Sequence, residues 1–114
     1  MSDTIFGKIA AGEITADIVY EDADVVAFRD LNPQAPVHIL VIPRQPLPSL
    51  EQVDDQDAPL LGKLLVAAAK VARQEGIAKA GYRTVINCNA AGGQTVLHLH
   101  LHVLGGRPLQ WPPG

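Results

Sequence analysis

The stretch Leu97-His98-Leu99-His100-Leu101-His102-Val103-Leu104 alternates apolar residues with histidines before ending on two apolar residues. Strict alternation predicts a β-strand, because successive side chains of a strand point to opposite faces of the sheet. The sequence therefore predicts a strand over 97–104, with three imidazoles on one face and aliphatic side chains facing the core. Since these are three of the four histidines of the chain, we interpret this strand as the centre of function.

Three interpretations of the histidine strand are open. A merely solvated strand face is more typical of threonine or lysine than of histidine. In a metal site, two of the three histidines could share an ion with a further ligand such as His38. All three cannot easily do so, since i and i+2 residues lie about 6.5–7 Å apart and zinc holds nitrogens at about 2.1 Å. Catalysis is the third interpretation, because imidazole can attack phosphorus or move protons near neutral pH.

The residues before this strand favour an anion site. Gly92-Gly93-Gln94-Thr95 offers backbone N–H groups that a ligand can approach closely, together with one hydroxyl group. A plain turn would also use two glycines, but the position directly before the histidines favours binding of a small anionic ligand.

Composition narrows the class of partner. The chain has 114 residues, a net charge of −3 and no basic cluster, so we expect no nucleic-acid polymer as ligand. The longest apolar stretches, Ile39 to Ile42 and Leu64 to Ala69, fall far short of the roughly 20 residues that span a bilayer. The start, Met1 to Thr4, lacks the pattern of a signal peptide. We therefore expect a cytoplasmic protein without a membrane partner, and the single cysteine, Cys88, fits a reducing compartment.

The remaining patterns predict an α+β protein with antiparallel strands. Apolar residues from Leu61 to Ala72 recur at helical spacing, which predicts a long helix capped by Asp57 and ending at Gly76. In chain order, the other predicted elements are a short helix over 5–9 ended at residue 12, a hairpin of strands 17–20 and 25–29, a loop over 30–36, a buried strand over 37–42, and strands over 82–88 and 97–104. Neighbouring strands joined by short turns predict antiparallel pairing.

The motif His98-Leu99-His100-Leu101-His102-Val103-Leu104 resembles the signature of the histidine triad (HIT) superfamily at all seven positions. The similarity covers nearly the whole chain and is strongest to the Hint branch, the histidine-triad nucleotide-binding proteins. The other matching segments are Ile5-Phe6-Gly7-Lys8-Ile9, Asp30, Pro33-Gln34-Ala35-Pro36, His38, Val41-Ile42-Pro43, Asn87, Gly92-Gly93-Gln94 and Trp111-Pro112-Pro113-Gly114.

The resemblance implies a fold and an activity. It implies a single HIT domain over residues 1–114, with a five-stranded antiparallel sheet that joins a second copy into a ten-stranded sheet of a homodimer. It implies hydrolysis of purine nucleoside phosphoramidates through a nucleotidyl-histidine intermediate, with no metal and no cofactor. Two alternatives are hydrolysis of dinucleoside polyphosphates, the activity of another branch, and a non-catalytic nucleotide-binding or scaffold protein.

The resemblance also implies roles for individual residues. His100 would be the nucleophile, His102 would contact the phosphate and help to protonate the departing amine, His98 would orient His100, and His38 would support them. Asp30 would bind the ribose hydroxyls. The other expected nucleotide-binding residues are Asn87, Gly93, Gln94 and Thr95 around the phosphate and ribose, and Ile5, Phe6, Ile9, Phe28, Leu31 and Leu40 around the base.

Three positions depart from the family pattern. Thr95 stands where many members have serine, which keeps the hydroxyl and adds a methyl group. Arg29 replaces a residue that is often histidine, which places a positive charge beside the expected ribose site. The tail Arg107-Pro108-Leu109-Gln110 carries an added proline. An apolar base pocket distinguishes purines poorly, so both adenine and guanine remain open.

Overall fold

Five strands form one antiparallel sheet in a computed structural model that describes residues 4–114. Met1 to Asp3, part of the segment in which we expect no signal peptide, lie outside the described residues. The order across the sheet is β1-β2-β3-β5-β4. This confirms the predicted α+β class and five-stranded antiparallel sheet. The strands are β1 (Ile18–Glu21), β2 (Val25–Arg29), β3 (Val37–Pro43), β4 (Tyr82–Val85) and β5 (Leu101–Gly105).

The long helix α2 (Ala58–Gln74) covers one face of the sheet. Its apolar stripe packs against alternate residues of the central strands, as the helical spacing predicts. The helix is followed by Gly76, as predicted, but Asp57 does not cap it with its side chain. Asp57 Oδ2 instead accepts a hydrogen bond from the N–H of Asp54 in a preceding 3₁₀ turn. No helix within residues 4–114 is long and apolar enough to cross a membrane.

The short helix α1 (Ile5–Ala10) lies on the opposite face. Thr4 caps its N-terminus, because the Thr4 hydroxyl accepts a hydrogen bond from the N–H of Gly7. Its buried residues pack against those side chains of the central strands that point away from α2. This second, smaller apolar cluster comprises Ile9, Ala10, Val26, Phe28, Leu40 and Ile42.

Two predicted strands are shorter than their sequence patterns. The β5 ladder begins at Leu101 and not at Leu97, because the N–H of Leu99 donates to the carbonyl of Leu47 in a loop and not to a strand. The predicted strand over 82–88 ends at Val85, since beyond it the chain turns toward Asn89, which has a positive φ of 59°. Alternation in the sequence was therefore not sufficient for strand pairing at the start of β5 or beyond the end of β4.

Candidate active site

Antiparallel pairing of β3 with β5 brings histidines from two distant segments together. In the ladder, His38 pairs with Leu104 and His102 pairs with Leu40, which places the two imidazoles on the same face. Their ring centroids are 5.1 Å apart, and His100 lies 5.1 Å from His102. Three imidazoles thus form one cluster beside the smaller apolar face of the sheet.

The fourth histidine, His98, lies in a different environment. It is fully buried, and its Nε2–H donates to the carbonyl of Pro43 at 2.8 Å. Because His98 and His100 precede β5 and are not in it, the expectation of three imidazoles along one strand face is wrong. His98 contacts the cluster through its backbone carbonyl, which lies 2.7 Å from Nδ1 of His100.

The backbone bond fixes the tautomer of His100. A carbonyl can only accept, so Nδ1 of His100 must carry the proton that it donates to His98. In the neutral ring, Nε2 then holds the free lone pair. No hydrogen bond of a described residue occupies Nε2, so this nitrogen is available to attack an electrophile.

A second chain of hydrogen bonds fixes the tautomers of His38 and His102. The backbone N–H of Gln34 donates to Nδ1 of His38 at 3.0 Å, so the neutral His38 ring carries its proton on Nε2. That Nε2–H lies 2.9 Å from Nδ1 of His102 and donates to it. His102 therefore carries its own proton on Nε2, which makes this nitrogen a donor.

All four imidazoles are held in the neutral form near pH 7. Burial lowers the pKa of His38, His98 and His100 below the ordinary value of 6.5, although the Asp30 carboxylate partly opposes this at His38 and His100. Burial and the neighbouring rings of His100 and His38 lower the pKa of His102 to about 4. A neutral His100 keeps its lone pair, which is the state that a nucleophile requires.

The cluster does not fit a metal ion in these tautomers. Three possible ligand atoms lie within 4.8 Å of one another, close enough to surround a cation. They belong to Asp30, His38 and His102. However, Nε2 of His38 carries a proton because Gln34 occupies Nδ1 as donor. Metal binding requires a free lone pair on that nitrogen, and would leave Nδ1–H facing the N–H of Gln34.

A cavity of about 440 Å³ lies beside the histidine cluster. None of the four histidines is in its wall, but two wall residues contact them: the ring of Phe6 lies 4.9 Å from that of His100, and Asp30 Oδ2 lies 3.5 Å from His38 Nε2. Eight predicted nucleotide-binding residues line the cavity, namely Ile5, Phe6, Ile9, Phe28, Asp30, Leu31, Leu40 and Thr95.

The remaining predicted binding residues, Asn87, Gly93 and Gln94, do not line the cavity. The side chain of Gln94 stabilises the loop before His98. Its amide oxygen accepts a hydrogen bond from the N–H of Asn89, and its Nε2 donates to the carbonyls of Pro48 and Val96. Asn87 Nδ2 donates to the carbonyl of Gly92. The backbone N–H groups of Gln94 and Gly93 also donate within the loop, to the carbonyls of Asn89 and Ala90.

Arg29 lines the cavity, but its charge is already balanced. Its guanidinium forms two hydrogen bonds to Glu75, directly after α2, at 2.8 and 3.0 Å. Asp17 lies 3.4 Å from its Nε. The positive charge expected beside the ribose is therefore held by two carboxylates and is not free for a ligand.

Sequence analysis missed several contributors to the site. The segment from Ile14 to Asp17 and the side chain of Asn32 also line the cavity, although nothing in their residue types signals a ligand. The backbone N–H of Gln34 fixes the tautomer of His38. A backbone donor leaves no side-chain signature, and only its place in the loop four residues before His38 could have suggested it.

Comparisons with known proteins agree with this architecture. The HIT domain profile matches residues 11–109. The chain is 62% identical to an uncharacterized HIT-like protein of Synechococcus elongatus over 98% of this chain and 97% of that protein. It is 53% identical to the purine nucleoside phosphoramidase of Escherichia coli over 94% of this chain and 90% of that protein.

Solved structures are similar in fold as well as in sequence. A HIT family hydrolase from Legionella pneumophila superimposes with a TM-score of 0.96, at 50% identity, over 98% of this chain and all (100%) of that one. A histidine triad protein from Clostridium difficile gives a TM-score of 0.93, at 44% identity, over 96% of each chain. Together with the paired strands and the histidine cluster, these similarities show that the chain belongs to the HIT family of hydrolases.

Proposed function

We propose that this protein hydrolyses the P–N bond of purine nucleoside phosphoramidates, such as conjugates of AMP with an amine, through a nucleotidyl-histidine intermediate on His100. The observation that carries the proposal is the bond from Nδ1 of His100 to the carbonyl of His98, because it leaves the Nε2 lone pair free. The 53% identity to a purine nucleoside phosphoramidase supports the choice of substrate.

In the first step, Nε2 of His100 forms a bond to the α-phosphorus while the P–N bond of the substrate breaks. The electron pair of that bond goes to the departing nitrogen, which takes a proton from Nε2 of His102 and leaves this nitrogen unprotonated for the second step. The attack places positive charge on the His100 ring, and the carbonyl of His98 stabilises that charge through the Nδ1–H bond.

In the second step, water attacks the same phosphorus. The electron pair of the N–P bond returns to Nε2 of His100, and Nε2 of His102 takes the proton that the water loses. The products are a nucleoside monophosphate and an amine, and the enzyme returns to its starting state. No metal is needed, since the protein supplies both the nucleophile and the proton donor.

The cavity accommodates the nucleoside in this proposal. Its apolar wall would receive the base, with Phe6 between base and nucleophile. Asp30 would bind the ribose hydroxyls, since a carboxylate accepts two hydrogen bonds at once. Asn87 and Thr95 would hold the phosphate with their side chains. Gly93 and Gln94 would shape the loop beside it, since their N–H groups donate to the carbonyls of Ala90 and Asn89.

The test is intact-protein mass spectrometry after brief mixing with an adenosine phosphoramidate, with free AMP followed by chromatography. Wild type should show an adduct of nucleotide mass and release AMP, and His100→Ala should show neither. Glu51→Ala, a change at an exposed residue that does not line the cavity, serves as the matched control and should behave as wild type. Binding of AMP without turnover or adduct would contradict the proposal and indicate a binding protein. Cleavage of dinucleoside polyphosphates alone would indicate the activity of the other branch.

We further propose that two copies form a homodimer by joining their sheets at β4. Among the strands of residues 4–114, β4 pairs with β5 alone and lies at an edge of the sheet, where unpaired backbone groups can extend the ladder. Sedimentation at micromolar concentration should give the mass of two chains, and a monomeric mass would contradict the proposal.

A further inference from the structure

Arg107 lies in the turn after β5 and has no carboxylate partner within 4.0 Å among residues 4–114. Its guanidinium instead donates to two backbone carbonyls, those of Pro108 at 3.1 Å and Gln34 at 2.9 Å. Gln34 is 73 residues away in sequence, in the loop between β2 and β3. An arginine whose N–H groups donate to the carbonyl of a loop distant in sequence is suited to holding that loop in position.

The turn that carries Arg107 is docked closely on the same loop. Gly106 has a φ of 90°, and a Cβ atom there would lie 2.8 Å from Cβ of Pro36. Only glycine permits both this conformation and this approach. The contact of Gly106 with Pro36 and the bond of Arg107 to Gln34 are independent observations that tie the C-terminal turn to one short loop.

The loop residue that Arg107 holds is also the residue that fixes the tautomer of His38. Gln34 accepts from Arg107 with its carbonyl and donates to Nδ1 of His38 with its N–H. His38 in turn donates to Nδ1 of His102. A continuous chain of hydrogen bonds therefore runs from Arg107 through Gln34 and His38 to the proposed proton donor.

We propose that Arg107 is a positioning residue, which holds Gln34 so that His38 and His102 keep their protons on Nε2. Without this bond, the N–H of Gln34 is held less firmly against Nδ1 of His38, and the population of the His38 tautomer with its proton on Nδ1 rises. His102 would then lose the partner that keeps Nε2 protonated, and transfer of a proton to the leaving group would slow. The expected effect on proton transfer rests on the proposed phosphoramidase function, whereas the expected effect on the tautomers of His38 and His102 does not.

The test compares Arg107→Gln with Arg83→Gln in the full-length protein. Arg83 is the matched control, because it also holds the C-terminal segment, through the carbonyl of Gln110 at 2.6 Å, but makes no contact with Gln34. Two-bond ¹H–¹⁵N correlation spectra of the imidazoles report the tautomers directly. Arg107→Gln should shift the Nδ1 and Nε2 resonances of His38 and His102 toward the other tautomer, and Arg83→Gln should leave them unchanged.

The kinetic readout separates positioning from a general loss of structure. For an alkylamine phosphoramidate, Arg107→Gln should lower kcat roughly tenfold, as expected for one lost bond in such a chain, with little change in KM. Arg107→Lys, which keeps one donor, should restore most of the rate. Wild-type spectra in Arg107→Gln, or equal shifts in both arginine variants, would overturn the inference. If wild type does not cleave the phosphoramidate, the proposed function fails, and the spectra still decide the role of Arg107.

Discussion

The two ends of the candidate site are held by different parts of the fold. At the histidine end, His38 and His102 lie in paired central strands, and His98 and His100 are bonded to backbone carbonyls. At the apolar end, the wall is formed partly by α1, a six-residue helix near the N-terminus. The exposed fractions show the contrast, since His100 is 5% exposed and Ile5 is 49% exposed.

This difference implies that the histidine end determines the rate of the chemical step and that the apolar end determines the affinity for the nucleoside. Side chains that lie in paired central strands, or that are bonded to buried backbone carbonyls, are held in one position, which suits residues that must hold a proton or a lone pair within tenths of an ångström. A peripheral helix can shift and still cover an apolar base. Changes at the histidine end should therefore alter kcat, and changes at the apolar end should alter KM.

The largest expected effect is that of His102→Ala at the histidine end. For an alkylamine leaving group, which departs only when protonated, kcat should fall by about 10²–10⁴-fold, the usual size of general acid catalysis. For a nucleoside phosphate ester of a nitrophenol, which needs no proton, the loss should be far smaller. An equal loss with both substrates would show that His102 does not supply the proton. Release of amine and of nitrophenol provides the two measurements.

The pH dependence of kcat/KM gives the next largest effect. Burial lowers the pKa of His100 below 6.5, so the lone pair is free at pH 7 and kcat/KM should be level there. The rate should fall only below pH 6.5, approaching tenfold per pH unit in acid. Asp30→Asn removes a negative charge that raises this pKa, so the midpoint should move to lower pH. A midpoint at or above 6.5 in wild type would contradict the assignment.

Most of the fold and part of the site could be predicted from the sequence. The β2 strand, the long helix and eight residues of the cavity wall follow from periodicity and from the family resemblance, because burial imposes an apolar pattern. The start of β5 could not be predicted, since Leu97 to His100 continue the alternation although Leu99 bonds to a loop. The tautomers could not be predicted either, because they depend on the N–H of Gln34 and the carbonyls of Pro43 and His98.

Acid should also weaken the folded state through the same histidines. Their folded pKa values lie below the unfolded value of 6.5, with His102 at about 4. The unfolded chain therefore binds more protons in acid, and this stability is complete above pH 6.5 and lost as the pH falls toward 4. Each such histidine contributes a slope of up to about 1.4 kcal/mol per pH unit. Urea unfolding at several pH values measures it, and a free energy that is constant between pH 6.5 and 4.5 would refute the buried neutral state.

The smallest effect should come from loosening α1 at the apolar end. Arg44 fastens this helix, because its Nη1 donates to the carbonyl of Ala10 at 2.8 Å while its other nitrogens bond to the carbonyl of Asp22 and the carboxylate of Glu21. Arg44→Gln removes the bond to Ala10 together with those to Asp22 and Glu21, and leaves the sheet pairing of the histidines intact. KM for a nucleoside phosphoramidate should rise about threefold to tenfold, the size of one hydrogen bond, with kcat nearly unchanged.

A matched control for Arg44→Gln is Lys63→Gln, which removes an exposed ion pair with Asp24 on the α2 side of the molecule and should leave both constants unchanged. Steady-state kinetics of the two variants side by side decides the question. If Arg44→Gln lowered kcat and left KM unchanged, α1 would act on the chemistry through the contact of Phe6 with His100. The division between a rigid catalytic end and a movable binding end would then be wrong, and the two ends would have to be treated as one packed unit.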